Sequence, residues 1–200
     1  MSRAIKKFIN KKMATTYSFI LSCACDEFYE GMIYDLPYFL QNYKEITQYS
    51  ILCEKNEKDI MKRNTLLYKK NIMDYIPSVL VRYIPPPFLE SILYQKEENT
   101  FYREEKRIEW KAFQDNKITS IYFIKGDTYC EKTENPQECK ITLRFDFSFN
   151  KELDIQNRWA RFFIFRVFEK RVPHFIYLEL KKIYTEFAVH LENKKKNIEE

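Results

Sequence analysis

The chain has 200 residues, of which 45% are hydrophobic and 17% aromatic, and its net charge is +5 at pH 7. A chain of this length fits one domain, and its apolar content is sufficient to bury a core. The two glycines, Gly31 and Gly126, are too few for a glycine-rich phosphate loop, which excludes nucleotide sites of that kind. The mild basic charge falls short of the dense patches of a dedicated nucleic-acid-binding protein.

The five cysteines indicate reduced thiols in an intracellular protein. They include no CxxC pair, and both histidines, His174 and His190, lie far from them in sequence. We therefore expect neither a metal site nor a cofactor. Cys130 and Cys139 close the two ends of one loop and are candidates to lie together across a hairpin, with their pairing left open.

Signals for targeting are weak. No run of roughly eighteen apolar residues occurs, so no transmembrane helix is predicted, and the apolar stretch near Phe19 is too short for a secretion signal. Residues 1–14 carry basic side chains and no acid, which we interpret as a basic N-terminal tail. A membrane-surface anchor or an organelle transit segment is the alternative. The expected location is intracellular, cytoplasmic or organelle-associated, and not secreted.

The first part of the chain predicts a strand, two short helices and a hairpin. Thr15–Ala24 is rich in β-branched and aromatic residues, as strands are. Asp26 is placed to cap the helical segment that follows, and Pro37 divides that segment in two. Residues 46–54 and 59–70 then predict two paired strands.

A proline-rich insert follows this hairpin at residues 71–88. It holds four of the seven prolines, and it is apolar and irregular. A segment of that kind between strands is typical of a packed lid or an interaction surface.

The segment from residue 95 to Asn150 predicts a meander of three strands. Its first two strands are residues 95–113 and 117–125, and a bend or bulge is expected at Gly126. Its last strand, Cys139–Asn150, alternates strictly between apolar and polar side chains. Because side chains on a strand point to opposite faces in turn, this strand has one wet face and one apolar, mostly aromatic face. Another element of the fold or a bound apolar molecule must cover that aromatic face, because it is too apolar to remain in water.

A long C-terminal helix supplies a matching cover. After Asn150 the apolar residues suit helix, and Pro173 marks a break. From there apolar residues recur every three or four positions and form a stripe on a helix of about five turns: Ile176, Leu180, Ile183, Phe187 and Leu191. Residues 194–200 are predicted to be a charged C-terminal tail.

The order of elements indicates an α+β domain over residues 15–193, in which a curved antiparallel sheet of about six strands wraps around a long C-terminal helix. With the insert YIPSVLVRYIPPPFL and the terminal helix, this order resembles the START-like superfamily, also called helix-grip or Bet v 1-like. Within that superfamily the chain is most similar to the lipid-transfer branches. The resemblance implies a cavity between the sheet and the helix.

The resemblance also implies which residues bind a ligand. The cavity would be lined by apolar residues of the last strand and the terminal helix and closed by a gate in the insert: Ile141, Leu143, Phe145, Phe147, Phe149, Ile176, Leu180, Ile183 and Phe187, with Tyr83, Phe88 and Leu89 as the gate. The implied function is binding, extending to intermembrane transfer, of a lipid or other apolar small molecule by a monomer that visits membrane surfaces transiently. The alternative is a filled core, with the domain used for protein or RNA interaction.

Catalysis has no comparable support. Neither His174 nor His190 has the neighbours of a hydrolase triad. The carboxylate pairs Glu97–Glu98 and Glu104–Glu105 lie in charge-rich segments, where a solvated surface is the ordinary interpretation. We therefore expect a non-catalytic binding protein.

Overall fold

The structure is a computed structural model that describes residues 14–69, 94–113, 122–149, 158–162, 166 and 169–199. The basic tail up to residue 13, the proline-rich insert and the predicted gate of Tyr83, Phe88 and Leu89 lie outside the described residues. Phe149 is described as backbone alone.

Seven antiparallel strands form a single sheet in the order β1-β7-β6-β5-β4-β3-β2. Their bounds are β1 Thr15–Leu21, β2 Ile46–Glu57, β3 Ile60–Lys69, β4 Tyr94–Tyr102, β5 Arg107–Phe113, β6 Tyr122–Lys132 and β7 Cys139–Phe149. The helices are α1 Cys25–Tyr34, α2 Leu36–Gln41, α3 Arg158–Phe162 and α4 Glu169–Glu199. The sheet is curved and unclosed, and the long α4 packs against β1 and β7, so the predicted α+β architecture is confirmed.

The sheet has one strand more than about six because the segment 95–113 divides. β4 and β5 are joined by a turn at Arg103–Lys106, in which Lys106 has a φ of 47°. The predicted three-stranded meander is therefore four-stranded. The turn contains no glycine, proline or asparagine to mark it, which is why the pattern of strand-forming residues suggested one continuous segment.

The alternation in β7 is confirmed. Ile141, Leu143 and Phe145 are almost fully buried, Phe147 is buried, and Arg144 between them is exposed. β7 lies between β1 and β6, so its apolar face is the middle of the core. The helices α1 and α4 cover that face.

Gly126 does not bend the chain as predicted. It lies inside β6, where it pairs with Trp110 of β5 and Phe145 of β7 in an unbroken register. A Cβ atom at this position would lie 2.5 Å from the Cβ of Phe145 and 2.9 Å from Cζ2 of Trp110. The glycine therefore serves the close approach of two large side chains.

The first two helices agree with expectation except at the N-terminal cap of α1. Two helices meet near Pro37 as predicted, but α1 begins at Cys25 with no side-chain cap, and Asp26 is in its first turn. There Asp26 forms ion pairs with Lys106 and Lys132. A carboxylate in the first turn still interacts favourably with the helix dipole.

The helix α4 starts before Pro173 and continues past Asn193. Pro173 lies inside α4 rather than at a break, close to the start, where it removes one backbone hydrogen bond of the helix. The helix runs to Glu199, so most of the segment assigned to a charged tail is helical. Lys194 and Lys195 of that segment pair with Asp35 and Glu27 of the α1 region.

The cysteines are free thiols, and Cys53 alone among them is exposed. Cys130 and Cys139 are on the same side of neighbouring strands, and the thiol of Cys139 donates to the backbone oxygen of Lys140 at 3.8 Å. Hydrogen bonds from Cys130 and Cys25 lower the pKa of Cys139. In the described ranges, no group of three or more His, Cys, Asp or Glu side chains is arranged to hold a metal ion.

Candidate functional site

A cavity of about 300 Å³ lies between the sheet and the first half of α4. Its roof is formed by α4, with Val172, Ile176, Leu180 and Ile183 facing inward. Large apolar side chains of six strands and of α1 and α2 form much of the wall: Phe101, Trp110, Ile124, Phe147, Ile46, Leu67, Met32, Leu36 and Leu40. The mostly apolar lining suits an apolar ligand.

Four of the residues predicted to bind a ligand line this cavity, and they are Phe147, Ile176, Leu180 and Ile183. Four others are buried in the solid part of the core and are not on the wall: Ile141, Leu143, Phe145 and Phe187. The side chain of Phe149 and the three gate residues are outside the described part of the chain.

The packed part of the core exists because α1 approaches α4 closely there. Gly31 faces Leu191 and Phe187, and a Cβ on it would lie 2.8 Å from a Leu191 methyl group. Phe28 of α1 makes edge-on ring contacts with Phe187 and Tyr184. Towards the start of α4 this cover ends, and the space under the helix is the cavity.

One side of the cavity is formed by β4, and we call its three polar lining residues, Gln95, Glu97 and Asn99, the polar row. Gln95, Glu97, Asn99 and Phe101 alternate along the strand and line the cavity, while Glu98 is on the opposite face. Glu97 and Glu98, predicted as one solvated pair, therefore lie on opposite faces of β4, and both are partly exposed. Because side chains on a strand alternate between its two faces, counting back from the apolar Phe101 places Glu97 on the face that points to the core. The many charged residues of this segment hid that alternation.

The polar row is ordered by a chain of hydrogen bonds. The hydroxyl of Tyr122 donates to Oε1 of Gln95 at 3.1 Å, and Nε2 of Gln95 donates to Oε1 of Glu97 at 2.6 Å. Burial raises the pKa of Tyr122, and the charge of Glu97 raises it further. The phenol consequently stays protonated and acts as a donor.

Two more tyrosines surround the same carboxylate. Burial raises the pKa of both Tyr49 and Tyr184, and the charge of Glu97 contributes to each rise. Tyr49 and Tyr184 also line the cavity. The tyrosine hydroxyl groups on this side of the cavity are therefore neutral.

Arg63 is a structural cation and not a free one. It is buried, its Nε donates to Oε2 of Glu54 at 2.9 Å, and its Nη2 donates to the backbone oxygen of Ile33. Its guanidinium also lies 5.5 Å from the ring centre of Phe101. These contacts tie α1 to the sheet and use two of the donors of Arg63.

Exposed apolar and basic side chains occur among the described residues between Arg158 and Leu178, and one of them lines the cavity. Phe175 lines the cavity and is also 37% exposed, and Leu178 follows it on α4. On α3, Trp159 is 76% exposed and Phe162 is exposed too. We call these four residues and the exposed basic residues of the same segment the rim surface, and its basic members are Arg158, Arg161, Arg166, Lys170 and Arg171.

No family model matches the chain, and no curated protein matches it in sequence. Solved structures do match. A structure of Ara h 8.0201 has a TM-score of 0.58 at 8% identity, over 90% of this chain and 97% of that one. The Zhui aromatase/cyclase from Streptomyces sp. R1128 has a TM-score of 0.55 at 12% identity, over 87% and 92% of the two chains.

The chain has the Bet v 1-like helix-grip fold. A third similar structure is the di-domain aromatase/cyclase BexL from the BE-7585A biosynthetic pathway, with a TM-score of 0.57, 9% identity and coverage of 91% of this chain and 48% of that one. At such low identities the likeness shows the helix-grip fold alone. The predicted resemblance to this superfamily is confirmed at that level.

Proposed function

We propose that this helix-grip protein binds an apolar small molecule of the lipid class in the cavity under α4. The observation that carries the proposal is the cavity itself, about 300 Å³ with a mostly apolar wall, in a domain whose core is otherwise densely packed. That volume is at the lower end of the range for small-molecule sites. An apolar ligand gains about 25 cal/mol per Å² of surface removed from water, which favours occupancy.

The similar structures support a small-molecule site without naming its ligand. Two of them are described as aromatase/cyclases, so the fold is compatible with chemistry on a bound molecule. For this chain we propose binding without conversion. A bound molecule recovered with unchanged mass supports that form of the proposal, and a product of altered mass contradicts it.

We further propose that the ligand enters and leaves at a membrane surface, with the rim surface as the contact. Between Arg158 and Leu178 the sequence has five arginines and lysines and one acid, Glu169. Exposed tryptophan and phenylalanine beside arginine suit the interface of an anionic bilayer. Among the described helices, none is long and apolar enough to cross a membrane.

Ligand binding is tested by filling the cavity. Leu180→Trp on the roof should abolish the apolar molecules that native mass spectrometry detects on protein purified from cells, and should leave the thermal midpoint unchanged or higher. Val189→Trp, on the exposed side of the same helix, is the control and should retain them. Repeated absence of any co-purifying or added apolar ligand from the unmodified protein would mean that the core functions without a ligand.

Membrane contact is tested with vesicles of phosphatidylserine and phosphatidylcholine against vesicles of phosphatidylcholine alone. Trp159→Ser should weaken sedimentation with the anionic vesicles, whereas Tyr38→Ser, an equally exposed aromatic on α2, should not. Equal sedimentation with both vesicle types would contradict electrostatic docking. Tight binding of RNA with a steep salt dependence, and none of vesicles, would favour the RNA-interaction alternative.

A further inference from the structure

The charged side chains around the cavity differ in how they are neutralised. Arg63 is paired with Glu54, Lys111 with Glu109 and Glu45 with Lys182. Glu179 also lines the cavity and has an interaction of its own. Glu97 is held instead by the neutral amide of Gln95. In the described part of the chain, no lysine or arginine forms an ion pair with Glu97.

Among the described residues, hydrogen bonds reach one oxygen of Glu97 and leave the other open. Gln95 occupies Oε1, and no donor among the described residues reaches Oε2. Because Gln95 is itself fixed by Tyr122, the carboxylate has a defined orientation on the cavity wall. An oriented carboxylate oxygen on the wall of the cavity is an acceptor for a donor group of a bound molecule.

We propose that Glu97 is the acceptor for the polar end of the ligand, and that the ligand is an apolar molecule ending in a hydroxyl or amino group. The apolar part lies along Leu180, Ile183 and Phe147, and the polar end donates to Oε2 of Glu97. This inference rests on the proposed ligand binding and adds the chemical class of the ligand. Fatty acids and other anionic amphiphiles are disfavoured, because their carboxylate would lie against that of Glu97.

The test compares ligands that differ at one end: dodecylamine, 1-dodecanol, dodecanoate and dodecane. Each competes with the neutral fluorescent probe N-phenyl-1-naphthylamine on the full-length protein. Dodecylamine or dodecanol should displace the probe at a concentration roughly 10-fold or more below that of dodecanoate, since a hydrogen bond to a charged group is worth about 1.5–3 kcal/mol. If dodecylamine alone binds, the polar end of the ligand is an amino group. If dodecanol alone binds, the polar end is a hydroxyl group.

The role of Glu97 is tested by Glu97→Gln, which keeps the shape and removes the charge. The preference for dodecylamine over dodecanoate should fall about 10-fold, whereas Glu98→Gln on the opposite face of β4 should leave it unchanged. The ligand series on the unmodified protein decides the matter even if the variant does not fold.

The two proposals fail differently. If dodecanoate displaces the probe as well as dodecylamine and dodecanol do, the role of Glu97 is overturned and apolar binding stands. If neither the probe nor any of the four molecules binds, the proposed function fails, and the role of Glu97 fails with it.

Discussion

The two halves of α4 have the same apolar stripe but different surroundings. In the second half, Phe187 and Leu191 are 0% and 4% exposed and contact α1 across Gly31. In the first half, Ile176, Leu180 and Ile183 are half-buried and face the cavity. Helix, stripe and sheet are continuous between the halves. The difference arises because α1 fills the space under one half and leaves the other open.

This comparison shows that an apolar stripe can be core at one end and binding wall at the other. The packed half is fixed against α1, and the open half is held beside the cavity by other contacts, such as the stacked rings of Tyr177 and Tyr17. A rigid roof over an unfilled space is the arrangement that a small-molecule site requires. Four predictions test this difference, beginning with the largest effect.

The sharpest test replaces the same residue type in both halves. Leu191→Ala should lower the free energy of unfolding by about 3 kcal/mol, because it leaves a void in packed core. Leu180→Ala should lower it by about 1 kcal/mol, because Leu180 already borders a void. Urea denaturation of both variants measures the difference. Equal losses would mean that the two halves are packed alike.

The two glycines test close packing with a smaller effect. Gly126→Ala should cost about 1–3 kcal/mol, because the new Cβ meets the Cβ of Phe145 and the backbone oxygen of Arg144 at 2.5 and 2.7 Å. Gly31→Ala meets the movable methyl groups of Leu191 and gains about 1 kcal/mol of helix propensity. Its net effect should stay within about 1 kcal/mol. A thermal scan of both variants suffices, and a larger loss for Gly31→Ala would refute this order.

The smallest effect is expected from the ion pairs at the two halves. Lys194→Met removes the pair with Asp35 at the packed half, and Lys182→Met the pair with Glu45 at the open half. Both pairs are well exposed, so each substitution should change the free energy of unfolding by less than about 1 kcal/mol. Exposed ion pairs typically contribute up to about 1 kcal/mol. A loss above about 2 kcal/mol in the free energy of unfolding at either position would therefore mean that charge, rather than packing, distinguishes the two halves.

The pH dependence of the second pair has a definite sign. The hydrogen bond to Glu45 raises the pKa of Lys182. A group whose pKa is higher in the folded state stabilises the fold below its ordinary pKa, and this contribution disappears as the pH rises through the raised value. The difference between the unmodified protein and Lys182→Met should therefore shrink at alkaline pH, which denaturation at pH 8 and pH 11 would measure.

Much of the fold was predictable because it depends on local periods. The alternation in Cys139–Asn150 predicted the central strand, and the three- and four-residue spacing from Ile176 to Leu191 predicted the covering helix. The boundaries were less accessible. The turn at Arg103–Lys106 has no typical turn residue, and Pro173 is tolerated inside α4 because it lies near the start of the helix.

The candidate site was predictable in part. The sequence indicated which residues face the space between sheet and helix, but it ranked Phe145 and Phe187 with Phe147 and Leu180. Nothing in a strand or helix period distinguishes the two sets, because the deciding neighbour is α1, which is distant in sequence. Glu97 was missed because its charge suggested solvent.

The sequence by itself determined the class of the fold, the apolar faces and the helix that covers the sheet, since each depends on side chains a few residues apart. Tertiary structure alone decided where the interior is filled and where it is open, and that Glu97 lies on the wall of the open part. The physical reason is that a cavity is the absence of a neighbour. It depends on how closely α1, α4 and the sheet approach one another across the fold.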